Sequence, residues 1–194
     1  QSFLAVTMAG PVNDDGLIFA EIPGGILIVS RSGSFLIDNN YRCSVAEGLT
    51  TLIQQFKVPT CMEQISGDEW LWGCVDSLRV VNVRTQQALR SYPFPNSWAL
   101  CHVSGDQWMV GSFSRDDLAL LTLSTGELSY INHWKTNDKK PIGAYAGTIQ
   151  RIDDHRFAIA SRYFGIYIIN IKNQSAEHFL HDGGDASTIL SDYC

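Results

Sequence analysis

Four short runs fall into one column along the chain: LIVS (27–30), WLWG (70–73), WMVG (108–111) and FAIA (157–160). Each is three apolar residues closed by a small one, and successive runs begin 43, 38 and 49 residues apart. A second apolar run follows each at an offset of 8 to 10 residues: FLID from Phe35, LRVVNV from Leu78, LALLTL from Leu118 and IYIINI from Ile166. Four residues along that run a polar residue recurs, as Asn39, Asn82, Thr122 and Asn170. A turn comes next, clearest in RTQQA (84–88) and STGEL (124–128), and then a more amphipathic strand, ALRSY, ELSYI or AEHFL. Ahead of each column run sits one further strand: LIFAEI (17–22), CMEQI (61–65), WALCHV (98–103) and GTIQRI (147–152).

Four strands repeating at this period are the signature of a β-propeller blade. The expected fold is therefore all-β, a propeller of four-stranded antiparallel blades, about four of them, at 17–47, 58–93, 98–132 and 147–181. The physical pattern agrees. The two middle strands are apolar on both faces, as sheets stacked face to face require. The fourth alternates, as an outer edge touching solvent does. The small residue closing the second strand (Ser30, Gly73, Gly111, Ala160) suits a place where strands converge. An irregular sandwich, the rival all-β arrangement, would need no period. No stretch shows sustained helical spacing, so no helix is expected.

Residues 182–194 read as the start of a further blade and SFLAVTM (2–8) as a strand of a preceding one, which predicts a slice of a larger propeller. The alternative is that the two ends pair and close a four-bladed ring. A slice would expose apolar blade faces, so self-association through them, as a homodimer, is expected.

The formal net charge of −6 argues against nucleic acid or an anionic membrane surface as a partner. Apolar runs are too short to span a bilayer, so any membrane attachment lies in segments outside this chain. No targeting segment is visible and the first residue is Gln, which suggests a processed protein or an excised segment. The five cysteines (Cys43, Cys61, Cys74, Cys101, Cys194) make no CxxC pair and no metal-type spacing with the histidines. They read as buried free thiols, with a Cys61–Cys101 disulfide as the alternative. No metal or cofactor is expected.

In a propeller, the loops between the second and third strands and the connections between blades emerge on one face, where ligands usually sit. Here the loops RSGS (31–34), CVDS (74–77), SFSRDD (112–117) and SRYFG (161–165) bring Arg31, Asp76, Arg115, Asp116, Asp117, Arg162 and Tyr163 to that rim. A sugar site needs planar polar groups for hydroxyls and an aromatic face for the ring's C–H side. Each of these residues has the plainer reading of a solvated loop. The longest connection, NHWKTNDKKPIGAYAG (132–147), adds Trp134 and Tyr145, aromatics that either bind ligand or cap the edge of the core. Trp98, at the start of an inner strand, is expected to pack, and Trp70, Trp72 and Trp108 in the repeated column are expected to be core. Adjacent carboxylates at 14–15, 116–117 and 153–154 mark turns rather than an acid–base pair, no G-x-S-x-G elbow is present, and a catalytic role for this chain is not expected.

The unit GDEWLWGCVDSLRVVNVRTQQALRSY resembles the propeller repeat of periplasmic sensor regions in Bacteroides-type hybrid two-component systems. The unit GDQWMVGSFSRDDLALLTLSTGELSYI (105–131) keeps the Trp, the Gly and the TG of that repeat, and HFLHDGGDASTILSDYC (178–194) is similar to its inter-blade linker. AEGLTTLIQQF (46–56) echoes the D-G-L-S that opens such repeats. No unit keeps the whole motif: Cys74 and Ser112 stand where the family has Thr. The resemblance implies a periplasmic sensor region of an inner-membrane receptor that detects a carbohydrate, often an oligosaccharide, and signals to a histidine kinase beyond this chain. Two other functions fit the residues: a protein-interaction propeller without a small ligand, and a propeller enzyme acting on glycans.

Overall fold

The computed structural model describes residues 18–22, 25–30, 33–56, 59–113, 117–137, 142–143 and 145–180. The segments read above as strands of neighbouring blades, 2–8 and 182–194, lie outside these residues. So does Cys194.

Among the described residues sixteen strands form four antiparallel sheets, each built from four consecutive strands in sequential order. The first blade is β1 (Ile18–Ile22), β2 (Gly25–Ser30), β3 (Gly33–Asp38) and β4 (Cys43–Val45). The second is β5 (Cys61–Ser66), β6 (Glu69–Gly73), β7 (Leu78–Asn82) and β8 (Gln87–Tyr92). The third is β9 (Ser97–Ser104), β10 (Gln107–Ser112), β11 (Leu118–Thr122) and β12 (Glu127–Tyr130). The fourth is β13 (Ala146–Arg151), β14 (Arg156–Ser161), β15 (Gly165–Asn170) and β16 (Ser175–Phe179). The expected all-β propeller architecture is therefore the one observed.

The recurrence extends to single hydrogen bonds. In blades two, three and four the amide after the third strand donates to the turn joining the first two strands: Val83 to Asp68 O (2.9 Å), Leu123 to Asp106 O (3.0 Å) and Ile171 to His155 O (3.0 Å). The polar column residue builds the next turn. Asn82 Oδ1 accepts the amides of Arg84 and Thr85, and Asn170 Oδ1 those of Lys172 and Asn173. A short side chain that bonds amides two or three residues on fixes a tight turn locally.

In the first blade the column sits one residue earlier than the sequence suggests. Asp38, not Asn39, pairs with the start of the second strand and accepts the amides of Asn40 and Arg42. Likewise Ile26, not Leu27, is equivalent to Trp70. The run Ile26–Val29 is apolar throughout, so nothing in it marks the register, and a one-residue slip exchanges faces. Leu27 and Val29 point into the junction with the second blade, while Ile26 stays 46% exposed.

Three apolar clusters form the core, one at each junction between consecutive blades. Trp70 and Trp72 face the first blade, Trp108 faces the second, and Phe157 faces the third, all of them buried. Among the described residues no cluster joins the first blade to the fourth. Where inner strands converge the chain narrows: a Cβ on Gly111 would lie 2.5 Å from Ala146 Cβ of the next blade.

One helix, α1 (Glu47–Phe56), corrects the expectation of none. Its Leu49, Leu52 and Ile53 are buried in the first junction beside Trp70 and Trp72. With Phe56 they stand at i, i+3, i+4 and i+7, a helical stripe held within ten residues. The helix forms part of the connection from β4 to β5 and adds its apolar stripe to that junction.

The four described cysteines are free, and Cys61 and Cys101 form no disulfide. Of the four, Cys74 is buried as expected, Cys61 and Cys101 are half-buried, and Cys43 is exposed because β4 is a short outer strand. Burial pushes the Cys61 and Cys74 thiols up from their ordinary range. Since the thiolate is the reactive form, iodoacetamide at neutral pH is expected to label Cys43 readily and to leave Cys61 and Cys74 unlabelled until denaturant is added. Peptide mapping by mass spectrometry checks this, and rapid labelling of Cys61 in the folded protein would overturn it.

Candidate functional site

The strand pairings put the second-to-third loops and the blade connections at one end of the molecule. In blade two, Cys61 pairs with Gly73, Gly73 with Leu78 and Leu78 with Tyr92, so β5 starts, β6 ends, β7 starts and β8 ends on the same side. Backbone bonds fasten this rim, the first of them between blades two and three and the other two within a blade. Asn96 N donates to Val75 O (2.9 Å), Phe113 N to Asn96 O (3.2 Å) and Arg162 N to Tyr145 O (3.1 Å).

At the rim of the third and fourth blades aromatic rings and one guanidinium are stacked in series. Trp98 of β9 stacks on Phe113 with centroids 4.6 Å apart. The Arg162 guanidinium reaches from the fourth blade to lie 4.5 Å from the same Phe113 ring, and 5.0 Å from the ring of Tyr163. Phe113 is thus shared between the ring of its own blade's inner strand and the guanidinium of the next blade. Tyr163 meets Tyr145 edge-on at 5.6 Å, and Phe164 lies 5.9 Å from Tyr145. Tyr145 has φ +32°, a conformation that a bulky residue keeps only where its surroundings hold it. Although packed on one another, Trp98, Tyr163 and Phe164 remain 42%, 49% and 39% exposed. Rings fixed by neighbours and open to solvent form a preordered apolar surface with a cation set in it.

Three of the sequence candidates meet here: Arg162, Tyr163 and Tyr145. Trp98, expected to pack, is instead half open, because a bulge where Ala99 pairs with Gly111 and Ser97 with Ser112 leaves it outside the regular ladder. Phe113 and Phe164 lie in the loops quoted for the rim but carry no charge, and a search for polar ligand contacts passes over them. Trp134 goes the other way. It is 8% exposed within the cluster of the third junction, where it caps the core, and so is not presented at the rim.

Asp76 does reach the rim, and its own loop engages it. Arg79 Nη2 donates to Oδ2 (2.8 Å) and Ser77 Oγ to Oδ1 (3.0 Å). Desolvation is the largest single influence and raises its carboxyl, but the Arg79 and Ser77 bonds and the Arg79 charge together outweigh it and hold the group below the usual range. Asp117 lies at the end of the third blade's loop, and its carbonyl accepts the Ser112 amide (3.0 Å). Arg31, Arg115 and Asp116 lie outside the described residues.

The adjacent carboxylates at 153–154 hold a turn at the opposite end. Asp153 Oδ1 accepts the amides of His155 and Arg156, Arg156 Nε reaches Oδ2 at 2.6 Å, and Arg151 pairs with Asp154 at 2.9 Å. The His155 amide foremost, then the Arg156 side chain, brings the Asp153 carboxyl down to about 2. A carboxyl so firmly ionised is a poor general acid. Among the described residues no three His, Cys, Asp or Glu side chains gather as a metal site, and no helix is long and apolar enough to cross a membrane.

No protein-family model and no curated protein matches the chain. Solved structures do. The extracellular domain of a putative hybrid two-component system from B. thetaiotaomicron superposes with a TM-score of 0.63 at 16% identity, over 90% of this chain and 23% of that one. A second structure of that extracellular domain, described as a putative one-component system, gives 0.64 at 15% identity over 91% and 23%. PorZ, a surface component of the type-IX secretion system of Porphyromonas gingivalis, gives 0.53 at 14% identity over 80% and 20%. These likenesses establish the fold. The chain spans about a quarter of the two-component system domains it matches and 36% of a hydrazine synthase chain from Kuenenia stuttgartiensis.

Proposed function

We propose that the chain is part of an extracytoplasmic sensor propeller, that the rim of its third and fourth blades binds a carbohydrate, and that the signal passes to a histidine kinase outside this chain. The observation that carries the reading is the solvent-open stack of Trp98, Phe113, Arg162 and Tyr163. Sugar rings present C–H faces that suit aromatic surfaces and hydroxyls that suit a guanidinium. The fold shared with the extracellular domain of a two-component system supports the sensing role and the periplasmic location. Carboxylates engaged in turns support a binding role over catalysis.

A panel of neutral and acidic oligosaccharides titrated by calorimetry tests this. At least one glycan is expected to bind, and Trp98→Ala with Tyr163→Ala together is expected to weaken it roughly thirtyfold or more, each lost stacking contact being worth roughly 1–3 kcal/mol. Circular dichroism of the variant checks that the blades remain folded. Retained affinity in the double variant would remove the rim stack from the site.

The second reading is a protein-interaction propeller. It is favoured by the apolar groups left open on the outer faces, Ile26 on the first blade and Phe179 on the fourth, at 46% and 44% exposure. A protein silent to every glycan and dimeric in sedimentation would place function at those faces instead.

A further inference from the structure

We infer that His178, on the outermost strand of the fourth blade, is a positioning residue that locks the rim loop carrying Arg162, Tyr163 and Phe164. Its ring lies at the crossing of three elements. The imidazole stacks on Tyr167 of β15, with centroids 4.2 Å apart and planes 6° from parallel. Nε2 lies 2.7 Å from the carbonyl oxygen of Phe164, hydrogen-bonding distance into the rim loop. The backbone amide of His178 donates to Asn137 Oδ1 (3.1 Å), on the long connection between blades three and four.

That connection is fastened to the fourth blade at both of its described ends. Thr136 bridges Ala176 in parallel, and Asn137 N donates to Ala176 O (3.1 Å), which covers part of the outer edge of β16. Further on, Gly143 N donates to the hydroxyl of Tyr167 (3.3 Å), the ring on which His178 stacks. Tyr145 follows two residues later and accepts the Arg162 amide. The imidazole thus ties outer strand to rim loop, and Tyr167 beneath it ties the same blade to the connection that supplies Tyr145.

The geometry explains how a three-residue loop between β14 and β15 keeps two aromatic rings toward solvent. Exposed rings on a free loop would collapse onto the nearest apolar surface or sample many rotamers, and a ligand would then bear that ordering cost. One hydrogen bond to a loop carbonyl, made by a ring itself fixed by stacking, removes the freedom beforehand.

The test needs no ligand, so it stands or falls independently of the carbohydrate reading. Amide hydrogen exchange is measured on the wild-type protein and on His178→Phe, His178→Gln and His178→Ala. Phenylalanine keeps a ring for Tyr167 but has no donor, and glutamine keeps a donor without the ring. Exchange in the loop, read at the Arg162 amide, is expected to rise roughly fivefold in His178→Phe, the loss of one net hydrogen bond, while β15 stays protected. Glutamine is expected to restore part of that protection, and alanine to expose both loop and strand. An Arg162 amide exchanging at the wild-type rate in His178→Phe would overturn the inference. So would equal acceleration across β14, β15 and the loop, because that pattern is global destabilisation.

Discussion

Replacing Trp72 with alanine is expected to destabilise the protein by about 3–5 kcal/mol, toward the lower end of that range. The side chain is fully buried in the junction between the first and second blades, in the cluster that also holds Leu27, Val29, Leu52 and Val81. Truncation removes the apolar contact and leaves a cavity lined by two sheets and a helix, elements that cannot all close on it. The indole Nε1 is buried with no hydrogen-bond partner among the described residues, so removing it also relieves a polar cost, and this places the value low. Urea denaturation followed by circular dichroism measures the change. Leu89→Ala, at a 43% exposed position on the outer strand β8, is the control and is expected to stay within about 0.5 kcal/mol of wild type. Equal midpoints for Trp72→Ala and wild type would mean that the column tryptophans are not the core.

The second large effect is expected at Gly73, in the direction of too much volume. A Cβ there would collide with Cys61 Sγ and lie 2.8 Å from the carbonyl oxygen of Ser97 on the next inner strand. That carbonyl is already crowded, since Thr60 Oγ1 donates to it and Cys61 Sγ sits 3.5 Å away. A thiol side chain can turn aside, whereas a strand carbonyl cannot. Gly73→Val is therefore expected to cost about 1–3 kcal/mol, and Cys61→Ala in the same chain to recover only part of it. A double-mutant cycle on urea midpoints separates the two collisions. Full recovery by Cys61→Ala would show that the convergence of β5 and β9 is not what demands glycine.

Much of this fold is legible in the residues because blade physics repeats. The tryptophan column, the polar turn residue and the small closing residue each answer one local demand, and each demand returns in every blade. What the sequence concealed lies where that local signal is absent. Ile26–Val29 has no polar residue to show which face is which, so the column slips by one. The stripe Leu49, Leu52, Ile53 and Phe56 is a fair helical pattern, but it is brief and sits where the resemblance reads as the opening of a repeat. The rim was legible as a place, and Arg162, Tyr163 and Tyr145 were named from it. Trp98 and Phe113 were not, because an aromatic beside a strand is ordinarily core, and only the bulge at Ala99 and the reach of Arg162 turn these two outward. Trp134 shows the converse: a polar neighbourhood in sequence folded it back into the third junction.

Placing the core in three separate junctions has a consequence for how the molecule comes apart. Each blade is coupled only to its neighbours, so stability behaves as a linear chain of nearest-neighbour terms rather than one indivisible total. Among the described residues the second and third blades each have two such couplings, the first and fourth one each. The rim stack spans one of these junctions, with Trp98 and Phe113 on the third blade and Arg162 and Tyr163 on the fourth. A molecule held between the two halves would tighten that coupling, turning occupancy of the rim into cohesion of the third and fourth blades.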